Sequence, residues 1–310
     1  MNATSPPTPP TPHRIGIIGL GIMGGVMAET LLLSGYEVCG YDIAAKAQKR
    51  LARAGGLACN SIEEVVRQAD VLISSLASAQ ALAQVTQEIA QAARRHPVHA
   101  KIFIETSTLP LQDKDACAAA LKAVRISAMD CPISGTAVRM KDRAWTVFAS
   151  GPKSTYRKIV PILRIFTDNT PYVGAYGSGS KMKFAANHLV AIYNVAYAES
   201  VALARKMGLD PQAVLDLFGN SPVLGTGVMR LRMAMMVERQ YTPPTMKIEV
   251  WQKDMQVIGE MAKSVDCPTP LFHACASIYT AAMAQGLALQ DTACTAEVLG
   301  QLAGIPAKAS

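Results

Sequence analysis

Arg14-Ile15-Gly16-Ile17-Ile18-Gly19-Leu20-Gly21-Ile22-Met23-Gly24 reads as a buried strand running straight into a glycine turn. The run over 15–18 is short, apolar and β-branched, the kind buried on both faces of a parallel sheet. A helix over 26–34, stopped by Gly35, and a second strand over 37–41 ending in Asp42 complete a βαβ unit. A lone G-x-G-x-x-G is weak. Here it has the strand before it, the helix after it and an acidic residue 23 positions past its first glycine, the setting of a dinucleotide site. The glycines allow a tight turn and let a pyrophosphate approach the helix N-terminus, where free N–H groups and the helix dipole favour anions. Gly19, Leu20, Gly21, Ile22, Met23 and Gly24 are therefore expected to hold a cofactor. Asp42 would accept from the ribose hydroxyls and repel a 2′-phosphate, so NAD is favoured over NADP, a preference that Lys46 one turn further on would soften.

Working outward, strand and helix keep alternating. Strands are expected over 71–76 and 101–105, with a helix over 78–93 between them. Pro110 fits the first position of the next helix, with Thr108 or Leu109 near its cap. Ligands of doubly wound sheets bind beyond the C-terminal strand ends, which places Ser75, Leu76 and Thr108 on the cofactor side; a plain helix cap is an equal reading of Thr108. Asp130-Cys131-Pro132-Ile133-Ser134-Gly135-Thr136 is a turn at a strand end. It can present Ser134 Oγ and the N–H groups of Gly135 and Thr136 to a carboxylate. A strand over 145–151, a helix over 152–166 and a last strand over 172–174 close the sheet region.

From Gly177 the strand signal disappears. Gly177-Ser178-Gly179-Ser180-Lys181-Met182-Lys183-Phe184-Ala185-Ala186-Asn187 opens a long apolar helix. Lys183 and Asn187 are about 40° apart around it and share a face; Lys181 lies about 200° from Lys183 and reads as a surface lysine. Alone, the stretch reads equally as a helix start whose lysine reaches solvent. This helix is too apolar to stand by itself and is expected to span a domain junction, where small-molecule sites usually form. Asp210 and Pro211 begin a new helix. The segment 219–227 reads as mobile, and helices follow over 228–237, 248–264, 270–285 and 292–302. In the second of these Trp251, Met255, Ile258 and Ala262 form the apolar stripe. Lys253 and Asp254 lie off it, the pattern of a solvated surface pair.

The expected fold is thus α/β and then all-α. A disordered proline-rich tail (1–13) precedes a doubly wound Rossmann domain (14–176) and an all-helical C-terminal domain (177–310), joined by an interdomain helix over about 180–207. Of the 310 residues, 50% are hydrophobic and 17% charged, far from a disordered composition. The net charge of +7 suits an acidic small molecule. The basic residues are scattered, without aromatic interleaving, which argues against nucleic acid. Seven cysteines without a C-x-x-C pair give neither a disulfide framework nor metal spacing. With no signal peptide and no membrane-spanning run, they point to reduced cytoplasm. No histidine offers a rival base: His13 lies in the tail, His96 and His99 in a connecting loop, His188 about 140° off the Lys183 face, and His273 on an apolar helix as a core residue.

Four blocks in this order resemble the β-hydroxyacid dehydrogenase family, which includes 3-hydroxyisobutyrate dehydrogenase and tartronate semialdehyde reductase. They are Gly19 to Gly24, Asp130 to Thr136, Gly177-x-Gly179-x-x-x-Lys183-x-x-x-Asn187, and Lys253-Asp254. The likeness runs from Arg14 to about Leu302. It implies NAD(P)-dependent interconversion of a small 3-hydroxy acid and its aldehyde or keto acid. Lys183 would be the general acid–base group, which requires its pKa to be lowered by burial or a neighbouring positive charge. Asn187 would orient the substrate, Ser134, Gly135 and Thr136 would hold its carboxylate, and Lys253 would approach the nicotinamide. The resemblance also implies a homodimer or homotetramer and needs no metal. Thr136 departs from the family's usual Ser-Gly-Gly and, with Arg139 and the segment 219–227, would tune the substrate. An imine reductase-like enzyme or a catalytically silent dinucleotide-binding protein would share the scaffold, but both usually lack the lysine.

Overall fold

The computed structural model describes residues 14–96 and 101–306. The sequence readings of 1–13 with His13, and of His99, fall outside the described residues. The chain divides into two compact units, the first ending at Lys183 and the second beginning at Phe184.

In the first unit β1 (Arg14–Ile18), α1 (Ile22–Leu33), β2 (Glu37–Tyr41), α2 (Ala45–Arg53), β3 (Leu57–Ala58), α3 (Ile62–Gln68), β4 (Val71–Ser74), α4 (Ala79–Arg95), β5 (Ile102–Glu105), α5 (Leu111–Ala123) and β6 (Ser127–Asp130) alternate without interruption. Their strands pair in parallel in the order β3-β2-β1-β4-β5-β6, the arrangement of dinucleotide-binding sheets. Successive β1 side chains point to opposite faces. Ile15 and Ile17 join Met27, Leu31 and Ile159 in one core. Ile18 joins Val65, Leu72, Val85 and Phe103 in the other. Burial on both faces is what the unbroken apolar run of this strand requires.

Beyond β6 the chain makes β7 (Ile133–Ser134), a 3-10 turn over Ala137–Met140, β8 (Thr146–Val147), β9 (Ala149–Ser150), α6 (Lys153–Phe166) and β10 (Tyr172–Gly174). The single strand expected over 145–151 is two strands in two sheets. β8 pairs with β7, whereas β9 joins the main sheet antiparallel to β6 and parallel to β10. The change occurs at Phe148, whose N–H leaves both ladders to donate to Pro132 O at 3.1 Å. The helix after β5 starts at Leu111 with Pro110 as its N-cap. Thr108 is therefore not a cap, and Pro110 stands one place before the first helical position.

α7 (Ser178–Lys206) opens in the first unit and runs on into the second. The second unit continues with α8 (Pro211–Gly219), α9 (Gly227–Glu238), α10 (Ile248–Ser264), α11 (Pro270–Ala284), a 3-10 turn over Thr292–Cys294 and α12 (Thr295–Leu302). Asp210 caps α8, accepting from Gln212 N at 3.0 Å. The expected stripe on α10 is buried, and Trp251 packs against Tyr279 of α11, whose hydroxyl donates to Ala191 O of α7 at 2.9 Å. Within 219–227, Gly225 N donates to Ser221 O at 2.8 Å, and Val223 N and Leu224 N donate to Ser221 Oγ. Among the described residues no helix is long and apolar enough to cross a membrane.

Candidate active site

The glycine turn is built by close backbone approaches. Gly19 has φ +88°, and a Cβ there would overlap Ser75 O. A Cβ on Gly24 would overlap Gly19 O. Only glycine allows the β1–α1 turn to lie this close to the end of β4. Gly21 is different: it is exposed, and a Cβ there would meet nothing within 4 Å. It is the N-cap of α1, where no side chain caps the helix and the first turn holds no acidic residue. Uncapped N–H groups beside open space fit a pyrophosphate. Ile22 is exposed and Met23 half-buried at the same helix start.

Asp42, at the end of β2, accepts from Leu20 N at 2.6 Å and Ala44 N at 2.7 Å. These bonds fix its charge next to the turn, where a ribose would lie. The guanidinium of Arg50 donates to Leu20 O at 2.6 Å and Gly21 O at 2.9 Å, a latch on the turn that the sequence gives no reason to suspect. Leu76 N donates to Ser107 Oγ at 2.8 Å, joining the ends of β4 and β5. Thr108 is half-buried beside it.

The 134–136 loop rests on Trp145. Gly135 has φ +146° and a Cβ there would overlap the indole, which donates from Nε1 to Thr136 O at 2.7 Å. Ser134 is half-buried and Gly135 exposed. The Thr136 hydroxyl points inward, shielded from solvent and without a hydrogen-bond partner among the described residues. Arg139 is exposed and paired with Asp142 at 3.1 Å.

The start of α7 packs tightly against this region. Gly179 lies where a Cβ would sit 2.8 Å from Asp130 O, and its N–H donates to Ser150 Oγ at 2.9 Å. Ser180 N donates to Asp130 Oδ2 at 2.8 Å, so a side chain from the end of β6 caps the helix in place of a local residue. Lys114 of α5 donates to Asp130 Oδ1 and Ser180 Oγ, both at 2.8 Å, and pairs with Glu105 Oε2 at 2.6 Å. Lys114, Glu105, Asp130 and Ser180 are all fully buried. Burial alone would push the Lys114 pKa down; the Glu105 and Asp130 charges outweigh it and hold the ammonium above its ordinary value. Nothing in the local sequence around Lys114 marks this cluster.

Lys183 follows Ser180 by about one helical turn and is 8% exposed, whereas Lys181 is exposed. One turn later, Asn187 in the second unit is 3% exposed and donates from Nδ2 to Asp254 Oδ2 at 2.9 Å. Lys253 Nζ lies 3.1 Å from Asp254 Oδ1. Asp254 thus ties Asn187 to Lys253 and fixes the orientation of the amide by engaging its Nδ2. At 4% exposed it is no surface residue; the amide of Asn187 compensates its burial. His188 stacks on Phe272, with ring centroids 5.3 Å apart. His273 is exposed and bonded to Thr269, since α11 turns Phe272, Cys275 and Tyr279 inward instead. His96 pairs with Glu63 at 3.0 Å. No group of three or more His, Cys, Asp or Glu among the described residues could hold a metal ion.

Two families together match most of the chain. The NAD-binding domain of 6-phosphogluconate dehydrogenase matches residues 14–174. The NAD-binding domain of NADP-dependent 3-hydroxyisobutyrate dehydrogenase matches 177–299. The chain is 29% identical over 281 residues to L-threonate dehydrogenase of Cupriavidus necator, covering 90% of this chain and 93% of that one. It is 26% identical over 285 residues to the chloroplastic glyoxylate/succinic semialdehyde reductase 2 of Arabidopsis thaliana, covering 92% of this chain and 79% of the relative. The crystal structure of 3-hydroxyisobutyrate dehydrogenase from Salmonella typhimurium superposes with a TM-score of 0.81 at 26% identity, over 92% of this chain and 99% of that one. With the glycine turn, the sheet order and the buried Lys183 in hand, these matches show that the chain belongs to the β-hydroxyacid dehydrogenase family, oxidoreductases that bind a nicotinamide dinucleotide.

Proposed function

We propose that the protein interconverts a small 3-hydroxy acid and its oxo form, with NAD as cofactor and Lys183 as the general acid–base group. The observation that carries the reading is a lysine held out of solvent on a helix whose first turn is fixed to the Asp130 end of the substrate loop. When bound, the nicotinamide would supply the hydride acceptor in oxidation and, reduced, the hydride donor in reduction. In oxidation Lys183 Nζ takes the proton of the substrate hydroxyl; in reduction it returns one to the carbonyl oxygen. Asn187, turned by Asp254, orients the substrate. Ser134 Oγ and the Gly135 N–H receive its carboxylate, and the inward-turned Thr136 hydroxyl narrows the loop from beneath. Lys253 is the residue that the resemblance assigns to the nicotinamide end of the cofactor. The glycine turn holds the pyrophosphate, and Leu76 and Thr108 line the cofactor along the strand ends.

The test is a reduction screen with NAD and NADP against a panel of 3-hydroxy acids, including hydroxyisobutyrate, glycerate and threonate. Turnover is expected with at least one. The fixed Asp42 carboxylate repels a 2′-phosphate, so kcat/KM with NAD is expected to exceed that with NADP by about ten- to hundredfold. No turnover across the panel would sink the assignment. A second expectation concerns the carboxylate loop. Gly135→Ala forces the loop off Trp145 and should raise KM for the acid about tenfold or more, with NADH affinity, read by fluorescence titration, unchanged. A KM within twofold of wild type would remove the loop from the substrate site.

Unpaired cysteines throughout the chain favour a cytosolic setting. Leu189 and Leu203 on α7, Met207 just past its end and Leu217 on α8 are exposed. They supply apolar surface for a homodimer or homotetramer.

A further inference from the structure

The buried Lys114 cluster has no part in the chemistry proposed above, yet it lies between the two things that chemistry must bring into register. On one side is the cofactor edge. Leu76 N donates to Ser107 Oγ, and Ser107 N donates to Glu105 Oε1, each at 2.8 Å. On the other is the helix that bears Lys183, whose Ser180 N–H and hydroxyl both donate to the Asp130 carboxylate at 2.8 Å. Lys114 Nζ is the group that joins them, ion-paired with Glu105 and hydrogen-bonded to Asp130 and Ser180. Two buried carboxylates facing one ammonium carry a net negative charge, which the positive N-terminal end of α7 helps to balance. Removing a cation from such a site usually costs more than the pair contributes. A simpler fold solution would have been a local serine or aspartate cap on α7.

We propose that Lys114 is a positioning residue, coupling the cofactor edge through Glu105 to the first turn of α7 through Asp130 and Ser180, and so setting where Lys183 Nζ stands when cofactor is bound. The inference rests on the reading of Lys183 as the acid–base group. It predicts that turnover depends on Lys114 even though Lys114 touches neither substrate nor cofactor. A displacement of the order of 1 Å at the reacting group lowers the rate by about a hundredfold.

The test is the double variant Lys114→Met/Glu105→Gln. It removes one positive and one negative charge, keeps an oxygen to accept from Ser107 N, and leaves Asp130 to cap α7. With the 3-hydroxy acid turned over fastest in the panel, kcat is expected to fall about ten- to hundredfold. KM and the NADH dissociation constant should stay within about threefold, as expected for a change confined to the chemical step. Hydrogen exchange of a peptide covering 177–183 gives a readout without substrate: NADH should slow it in the wild type and not in the double variant. Unchanged kcat, an NADH affinity that falls in step with kcat, or slowing by NADH that persists in the variant would each overturn the proposal. Should the double variant not fold, Ser180→Ala keeps every charge and loses only the hydroxyl contact to Lys114 and Asp130. It is expected to move the same readouts in the same direction by a few-fold, and normal values there overturn the proposal. If the wild type oxidises no 3-hydroxy acid, the reading of Lys183 fails, while the exchange experiment still decides the coupling.

Discussion

Replacing Lys183 by methionine is expected to lower kcat by about 10²- to 10⁴-fold, the range for loss of a positioned general acid–base group, with the NADH dissociation constant unchanged. Methionine keeps the length and apolar stem of lysine, so α7 should pack as before. What is lost is the one atom able to take a proton from the substrate hydroxyl at this place on the helix. Lys181→Met is the matching control. Its side chain is exposed and on the far face of α7, so its turnover should equal that of the wild type. Steady-state rates with the best acid from the panel, beside fluorescence titration of NADH, check both variants. A Lys183→Met enzyme with near-normal kcat would remove Lys183 from the chemistry. Loss of NADH binding in the same variant would make it a cofactor residue instead. A fall in kcat/KM carried entirely by KM would make it a substrate-binding one.

What the chain tells before folding follows from what each residue meets. The β1 strand and glycine turn are legible because Ile15, Ile17 and Ile18 are buried on two faces and Gly19 and Gly24 sit under other backbone, demands that few sequences satisfy. α2 is not, since Leu51 is its single fully buried side chain and no apolar stripe marks it. The division of 145–151 into two strands escapes a periodicity reading because Val147 and Ala149 are both buried, each against a different sheet partner. At the site, Lys183 and Asn187 are legible through helical spacing. Lys114 is not: in Leu111-Gln112-Asp113-Lys114-Asp115 it looks like one more solvated charge. It becomes a buried ion only because β5 and β6 end in Glu105 and Asp130 side by side, a pairing made by sheet order and not by local sequence. Asp254 is hidden for the same reason, its partner Asn187 lying 67 residues away.

The second unit contains a comparable buried pair with a different job, and it gives the other large expected effect. Arg232 of α9 is ion-paired with Asp291 and donates from Nη1 to Thr245 Oγ1 at 2.7 Å. Asp291 also accepts from Thr245 N at 2.7 Å, Met246 N at 3.2 Å and Ala293 N at 3.0 Å. The carboxylate thus fastens the chain entering α10 to the turn entering α12. Burial would push the Asp291 pKa up; the Arg232 charge and the backbone donors outweigh it and hold the carboxyl below its ordinary 3.8. A depressed carboxyl contributes stability that is full above 3.8 and is lost as pH falls through the folded value. Arg232→Met leaves that carboxylate buried without its cation, and the expected cost at pH 7 is about 3–5 kcal/mol. With the arginine gone, burial is opposed only by the hydrogen bonds to Asp291, so the carboxyl takes up its proton at a higher pH than in the wild type. The stability gap between wild type and Arg232→Met should therefore narrow as pH drops from 7 to 5. Adding Asp291→Asn to Arg232→Met should recover part of the loss at pH 7, because the buried charge is gone, while the single amide oxygen still accepts from Thr245 N on the Oδ2 side and the Ala293 N–H on the Oδ1 side loses its acceptor. Urea midpoints of the three proteins at the two pH values measure this. A gap independent of pH, or a double variant as unstable as Arg232→Met, would mean that the loss comes from packing around α9 and not from the stranded charge.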